Sequence, residues 1–369
     1  MRAMQRVLVM LTVILLVAAS LAVGTLAAHW PFWQRAWQWH SHAAGAPLVL
    51  AGPWQRLHGG DAALPLAVHP SAALEAAVAG TTTQLLLRGS IDGRVEAFLA
   101  PGFDADSGID GRGLATALLA PLYATLEPQH PGLLDAPVGA ALEEWREDRR
   151  GVITPRQLFW QLSGLSAGDE HPLNPFAARS QLAAGPDFNR AALGWRQVFP
   201  PGSHFEESPV NAQLLALVAT RLEGGSYAAL LEQRLWSRIA SGDAQTMLDH
   251  RRGESAAHCC LRARASDWLR LGLLLAADGQ VAGTALWMPG FIAEVARTSP
   301  VHEGYGLGFH LLQQADGVMV LQLADRGRRL LIAPSVGAAL LWVGEEEPPA
   351  DLVGLLLADS AEQPIAELD

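Results

Sequence analysis

Residues able to do covalent or acid–base chemistry are unevenly spread along this chain. All 26 basic residues are arginine and no lysine occurs. A Walker lysine, a Schiff-base lysine and a lysine general base are therefore excluded together, because arginine stays protonated and cannot accept a proton. Two serines invite a test as nucleophiles. Ser166 centres Gly164-Leu165-Ser166-Ala167-Gly168, the G-x-S-x-G spacing of a nucleophile elbow, but an elbow needs a strand before the serine and a helix after it. Here a helical pattern precedes it. Ser107 follows Asp104 and Asp106 and precedes a buried helix, where capping a helix or closing a loop is the ordinary use of a hydroxyl. Glu206 and Glu207 are adjacent carboxylates that point in different directions, so a solvated pair is expected rather than an acid/base couple.

The 12 histidines contain no HExxH, and His40 with His42 is an isolated pair, so neither a metal site nor a cofactor is expected. His204 and His258 read as polar loop residues. Cys259 and Cys260 are adjacent and lack C-x-x-C spacing. A buried pair of thiols is the expectation, with a vicinal disulfide as the alternative outside the cytoplasm. Arg146, Arg149 and Arg150 alternate with Glu143, Glu144, Glu147 and Asp148, as on a solvated charged face. The net charge of −11 and the absence of a long basic run exclude a nucleic-acid partner.

The elements that must position these groups begin with residues 7 to 28, an uncharged apolar run preceded by Arg2 and Arg6. A helix of that length reaches about 33 Å, enough to cross a bilayer. Trp30, Phe32, Trp33, Trp37 and Trp39 crowd the exit, where tryptophan favours the lipid–water interface. The expectation is a retained signal-anchor over residues 1–28 that spans a bacterial-type inner membrane once, with the rest of the chain periplasmic. Secretion after signal cleavage is the alternative. Residues 29–60 read as a Trp-rich juxtamembrane connector without a clean period, and residues 61–369 as the folded body. There, apolar runs flank a turn at residues 89–93, as in a β-hairpin. Helical patterns follow at 113–126, 155–162, 211–222, 227–239 and 265–277. Strand-like runs at 308–312, 318–323, 329–332 and 338–343 and a last helix near 350–360 close the body. Strands at both ends with helices between them give an α+β architecture with a cleft between lobes.

Four segments, in order, resemble the serine β-lactamase and penicillin-binding-protein-like superfamily, in particular class C β-lactamase-like hydrolases, esterases and 6-aminohexanoate-dimer hydrolases. They are AALEEWREDRRGVITPRQLFWQLSGL (140–165), PGSHFEESPVNAQLLALVATRLEGGSYAALLEQRLW (201–236), HCCLRARASDWLRLGLLLAADGQVAG (258–283) and YGLGF (305–309). The resemblance implies an antiparallel sheet flanked by helices plus a helical lobe. It also implies a Ser-x-x-Lys motif at the start of a buried helix, whose i, i+3 spacing lets the lysine take the serine proton. Counting back from Asp135-Ala136-Pro137-Val138 puts Ile109 at the serine position and Arg112 at the lysine position. A shift of two residues substitutes Ser107 and Asp110. The Tyr-x-Asn motif falls on Glu207 and Pro209, and the Lys- or His-x-Gly motif keeps only Gly327.

Ile109, Arg112, Glu207 and Pro209 cannot supply that chemistry, so the expectation is a non-catalytic member that binds a peptide, a cell-wall fragment or a partner protein. A hydrolase of amide or ester bonds using displaced Ser107 or Ser166 is the alternative, and a structural subunit of a membrane assembly is a third reading. An ion pair between Glu207 and Arg112 would fill such a cleft.

Overall fold

The computed structural model describes residues 2–28, 30–41, 52–168, 174, 176–281, 283–345 and 347–358. Helix α1 (Arg2–Ala28) contains the apolar stretch Gln5–Ala27, with mean hydropathy 2.8 and none of it buried. Helix α2 (Trp30–Ser41) follows. Within the stretch read as a connector without a clean period, Trp30–Ser41 is a helix that packs on the body. His42 and the rest of residues 42–51 lie outside the described residues.

The main sheet comprises β1 (Ala67–Pro70), β2 (Thr83–Ser90), β3 (Arg94–Leu99), β4 (His310–Gln313), β5 (Met319–Asp325), β6 (Arg328–Ala333) and β7 (Ala338–Gly344). Their spatial order is β4-β5-β6-β7-β2-β3-β1, antiparallel except for the parallel edge pair β1–β3. Successive strand residues face opposite sides. In β7, Ala339, Leu341 and Val343 join the large core while Ala338, Leu340 and Trp342 join a second cluster with Leu352 and Leu356. Both faces are covered, so the strand is apolar at nearly every position and shows no polar alternation in sequence.

Between the two ends of the sheet the chain builds its helical lobe. A 3-10 turn over Arg112–Leu118 leads into α3 (Leu119–Leu126), and both are mostly buried. Helix α4 (Pro155–Phe159) opens with a Thr154/Gln157 capping box, in which each side chain satisfies the other residue's backbone N–H. Helices α5 (Ala178–Ala184), α6 (Pro209–Glu223) and α7 (Ala265–Ala276) follow, and α8 (Leu352–Leu357) closes the body within the region expected for a last helix. Leu269, Leu271, Leu273 and Leu275 of α7 are buried in the large core, which includes the inner face of the sheet. Full burial of such side chains stabilises by roughly 1.5–3 kcal/mol each.

Two further expectations are corrected. Cys259 and Cys260 are joined as a vicinal disulfide, Cα–Cα 3.7 Å, with Cys260 in the left-handed region at φ 67°. The cluster around Arg150 is not a simple solvated face. Arg150 lies over Trp145 (4.6 Å) and donates to Leu193 O (2.7 Å) and Trp195 O (2.8 Å), knitting two loops together. Arg146 and Glu143 do form an exposed pair (3.2 Å).

Candidate functional site

A cleft of about 240 Å³ opens between the tip of the 3-10 turn, the start of α6 and the end of β5. The 3-10 turn matters because three residues per turn superpose positions i and i+3. Gly113 and Thr116 therefore both line the cleft. Beside them Asp325, the last residue of β5, accepts from Gly113 N (2.7 Å) through Oδ2 and from Arg326 N (2.6 Å) through Oδ1. A Cβ at position 113 would stand 2.9 Å from Asp325 Oδ2, so the carboxylate occupies the space a side chain there would need.

The facing wall is Glu207-Ser208-Pro209. Pro209 is the first residue of α6, where its fixed φ and missing N–H suit a helix start. Gln161, at φ 58°, ties this wall to the floor. Its Oε1 accepts from Ser208 N (2.9 Å) and Asn211 Nδ2 (2.7 Å), and its side chain also bonds the Tyr305 hydroxyl. Glu207 pairs with His310 Nε2 (3.2 Å), and hydrogen bonding to that imidazole holds the Glu207 carboxyl below the usual range, against the opposing effect of burial. Tyr305 lies edge-on to His310 (5.0 Å) and to Phe205 (5.2 Å), which itself stacks on His302 (4.2 Å), forming an aromatic outer wall. Burial raises the Tyr305 hydroxyl well above its ordinary value, so it stays protonated.

The sequence-derived positions scatter around this cleft. Ile109 sits in the short strand Gly108–Asp110, paired with Ala263, and its side chain is in the core at 3% exposure. Arg112 starts the 3-10 turn at φ 48° and donates to Arg326 O (3.3 Å). Neither of the two lines the cleft, whereas Glu207 and Pro209 do. The partner of Glu207 is His310, not Arg112, which corrects the expected ion pair.

Gly327 turns the β5–β6 hairpin at φ 67°, and a Cβ there would lie 2.2 Å from Gly344 O. Asp110 and Arg328 form a charged knot behind the tip. Burial raises the Asp110 carboxyl, opposed by the Arg112 N–H and by Arg262, Arg112 and Arg328. Burial, helped by Arg112, brings Arg328 down to about 10.

Ser107 and Ser166 are engaged away from the cleft. Ser107 Oγ donates to Asp104 Oδ1 (3.0 Å) and accepts from Asp104 N (2.8 Å), closing a loop. Ser166 lies in a two-residue strand and donates to Glu206 Oε1 (3.1 Å), so Glu206 and Glu207 serve different partners. The hydroxyls that do line the cleft belong to Thr116, Ser208 and Tyr305. Thr116 donates to Gly113 O (2.9 Å), and the buried Ser208 Oγ has no hydrogen-bond partner. Neither Thr116 nor Ser208 is hydrogen-bonded to Glu207, His310 or Asp325.

Sequence reasoning missed Gln161, Tyr305, His310 and Asp325. The available signal was adjacency, since His310 follows YGLGF directly and Asp325 precedes Arg326-Gly327. His258 lies in a loop as expected, but it is buried and bonded to Gln213 Oε1 (3.1 Å). Among the described residues no cluster of three His, Cys, Asp or Glu side chains is arranged to hold a metal ion.

No curated protein sequence matches the chain significantly. Solved structures do match. A Bacillus anthracis protein described as a 6-aminohexanoate-dimer hydrolase is 18% identical with a TM-score of 0.68, covering 83% of this chain and 88% of its own. A D-stereospecific amidohydrolase from Streptomyces is 18% identical (TM-score 0.55; 78% and 98% covered). A penicillin-binding protein from Bacillus halodurans is 14% identical (TM-score 0.55; 78% and 98% covered). The architecture is that of the serine β-lactamase and penicillin-binding-protein-like superfamily, and the family described as Beta-lactamase matches residues 122–343. A sheet built from both ends of the chain, a helical lobe between them and a cleft where the two meet have this common origin: the chain belongs to the Beta-lactamase family of serine hydrolase-like proteins.

Proposed function

We propose that this is a membrane-anchored, non-catalytic member of the family whose cleft binds a peptide or cell-wall fragment. One observation carries the reading: the Asp325 carboxylate, hydrogen-bonded to Gly113 N at 2.7 Å, fills the space beside the helix tip where a nucleophile and its base would have to act. A carboxylate can hold a ligand's N–H or ammonium group, while Gly113 and Thr116 beside it supply neither a serine hydroxyl nor a lysine base. The anchor is supported by the unburied apolar stretch Gln5–Ala27. Arg2 and Arg6, ahead of the uncharged run at residues 7–28, support a cytoplasmic start and a domain on the outer side.

Incubation of the full chain with a fluorophosphonate and with a fluorescent penicillin tests the reading. No covalent labelling is expected, together with a rise in melting temperature on adding cell-wall peptides. Stoichiometric labelling abolished by Ser107→Ala, Ser166→Ala or Ser208→Ala would establish a hydrolase instead. Co-purification of a partner that survives changes in the cleft but not loss of residues 30–60 would favour a scaffold.

A further inference from the structure

We infer that α2 is an interfacial strap that lies in the headgroup region of the bilayer and pins the folded domain against the membrane, with Arg35 as the pin. The inference rests on the anchor reading of α1. Only His29 separates α1 from α2, so α2 begins where an anchor helix would leave the lipid.

Helix α2 buries a cation beside an aromatic ring and turns two tryptophans outward, with Gln34 exposed between them. Its inner face carries Phe32 at 4% exposure and Arg35 at 2%, while Trp30 is 61% and Trp37 73% exposed. Those two tryptophans are seven residues apart and share a face, since two turns of α-helix bring the side chains into line. A cation withdrawn from water while two indoles are turned outward is unfavourable in aqueous surroundings. It suits the lipid–water boundary, where tryptophan places its apolar body in the acyl region and its N–H among headgroups. Phe176, on the segment entering α5, adds another ring at 64% exposure.

The inward arginine is fully received. Its Nη2 donates to Leu248 O (2.6 Å) and Asp249 O (3.1 Å), and its Nη1 donates to Ala184 O and Gly185 O (3.3 Å each). Its guanidinium also lies 5.5 Å from the Phe188 ring centre. Four carbonyls from two separate loops thus converge on one side chain. The ground beneath is tied to the cleft through α6. Gln213 holds Ser255 O (3.1 Å), Ala257 N (3.0 Å) and His258, and its neighbour Ala212 lines the cleft. A domain strapped in this way holds its cleft at a fixed height and orientation above the lipid, within reach of ligands at the membrane surface.

The test uses the full chain in phosphatidylcholine/phosphatidylglycerol vesicles, with a nitroxide attached through Trp37→Cys or, for comparison, Val336→Cys. The ratio of oxygen to water-soluble nickel-chelate accessibility is expected to be several-fold higher at 37 than at 336, and Trp30→Cys gives the same reading should the first variant fail to fold. Arg35→Ala is expected to accelerate amide exchange several-fold in residues 178–185 and 247–250 while the sheet stays protected. Equal nickel accessibility at 37 and 336, in a chain whose intact mass retains α1, overturns the strap and leaves the anchor standing. Unchanged exchange in Arg35→Ala overturns the pin. A mature chain whose mass shows loss of residues 1–28 overturns both readings.

Discussion

His258 should make the protein lose stability as pH falls from 7 to 5. Its side chain is 9% exposed, its Nδ1 faces Gln213 Oε1 at 3.1 Å, and its Nε2 is buried without a partner. Burial, with the nearby Arg35 charge adding to it, pushes the imidazole down to about 4 from an ordinary 6.5. The folded state therefore keeps this histidine neutral while the unfolded chain binds a proton at pH values below 6.5. Stability is complete above 6.5 and declines as pH falls toward 4. Two and a half units correspond to about 3 kcal/mol over the whole window, of which about 2 kcal/mol is lost by pH 5.

Asp92, Asp135, Asp148, Glu207 and Glu223 are held below their ordinary values, so their contributions are lost only at lower pH. Asp110 and Glu254, raised by burial, contribute with the opposite sign, and they cancel in a comparison of two variants. Urea unfolding in detergent micelles, followed by near-ultraviolet circular dichroism at pH 7 and pH 5, measures the effect in the wild type and in His258→Asn, which can still donate to Gln213. The variant should lose about 2 kcal/mol less between the two pH values. Equal losses in both proteins would refute the reasoning.

Gly327→Ala should destabilise by at least about 1 kcal/mol, because it forces a side chain into the left-handed region and against Gly344 O; thermal unfolding checks it. Arg156 donates to Asp135 (2.7 and 2.8 Å) and Glu294 (2.9 Å) and is 9% exposed, so Arg156→Ala should cost about 2 kcal/mol in the same assay, with Asp135→Ala costing less because that carboxylate faces solvent. Asp325→Ala removes the acceptor of Gly113 N and should cost about 1–2 kcal/mol, read by urea unfolding. It should also weaken any cleft ligand that raises the melting temperature of the wild type, with calorimetry as the check.

The central hairpin, the helices near 211–222 and 265–277 and the last strands were legible because burial pattern and turn chemistry are local. The helical pattern from residue 211 falls inside α6, which starts two residues earlier at Pro209, and the unbroken apolar run in β7 marks a strand covered on both faces. The register at the helix tip was not legible. Counting back from Asp135 crosses a turn and then a 3-10 segment, where the step per residue differs from that of an α-helix, so Ile109 and Arg112 were placed where Gly113 and Thr116 face the cleft. The Trp-rich stretch shows no clean period because one of its inward residues is an arginine received by backbone carbonyls and two tryptophans face outward, which no hydropathy pattern reveals.

The chain alone establishes the absence of lysine, the apolar helix at its start and the order of segments that marks the family. Those properties follow from composition and from contacts close in sequence. Folding was needed to bring Asp325 against Gly113, His310 against Glu207 and Arg35 against Leu248, pairs that lie 212, 103 and 213 residues apart. Hydrogen bonds and charge pairs across such distances depend on how the sheet and the lobe close on each other, which local preferences do not encode.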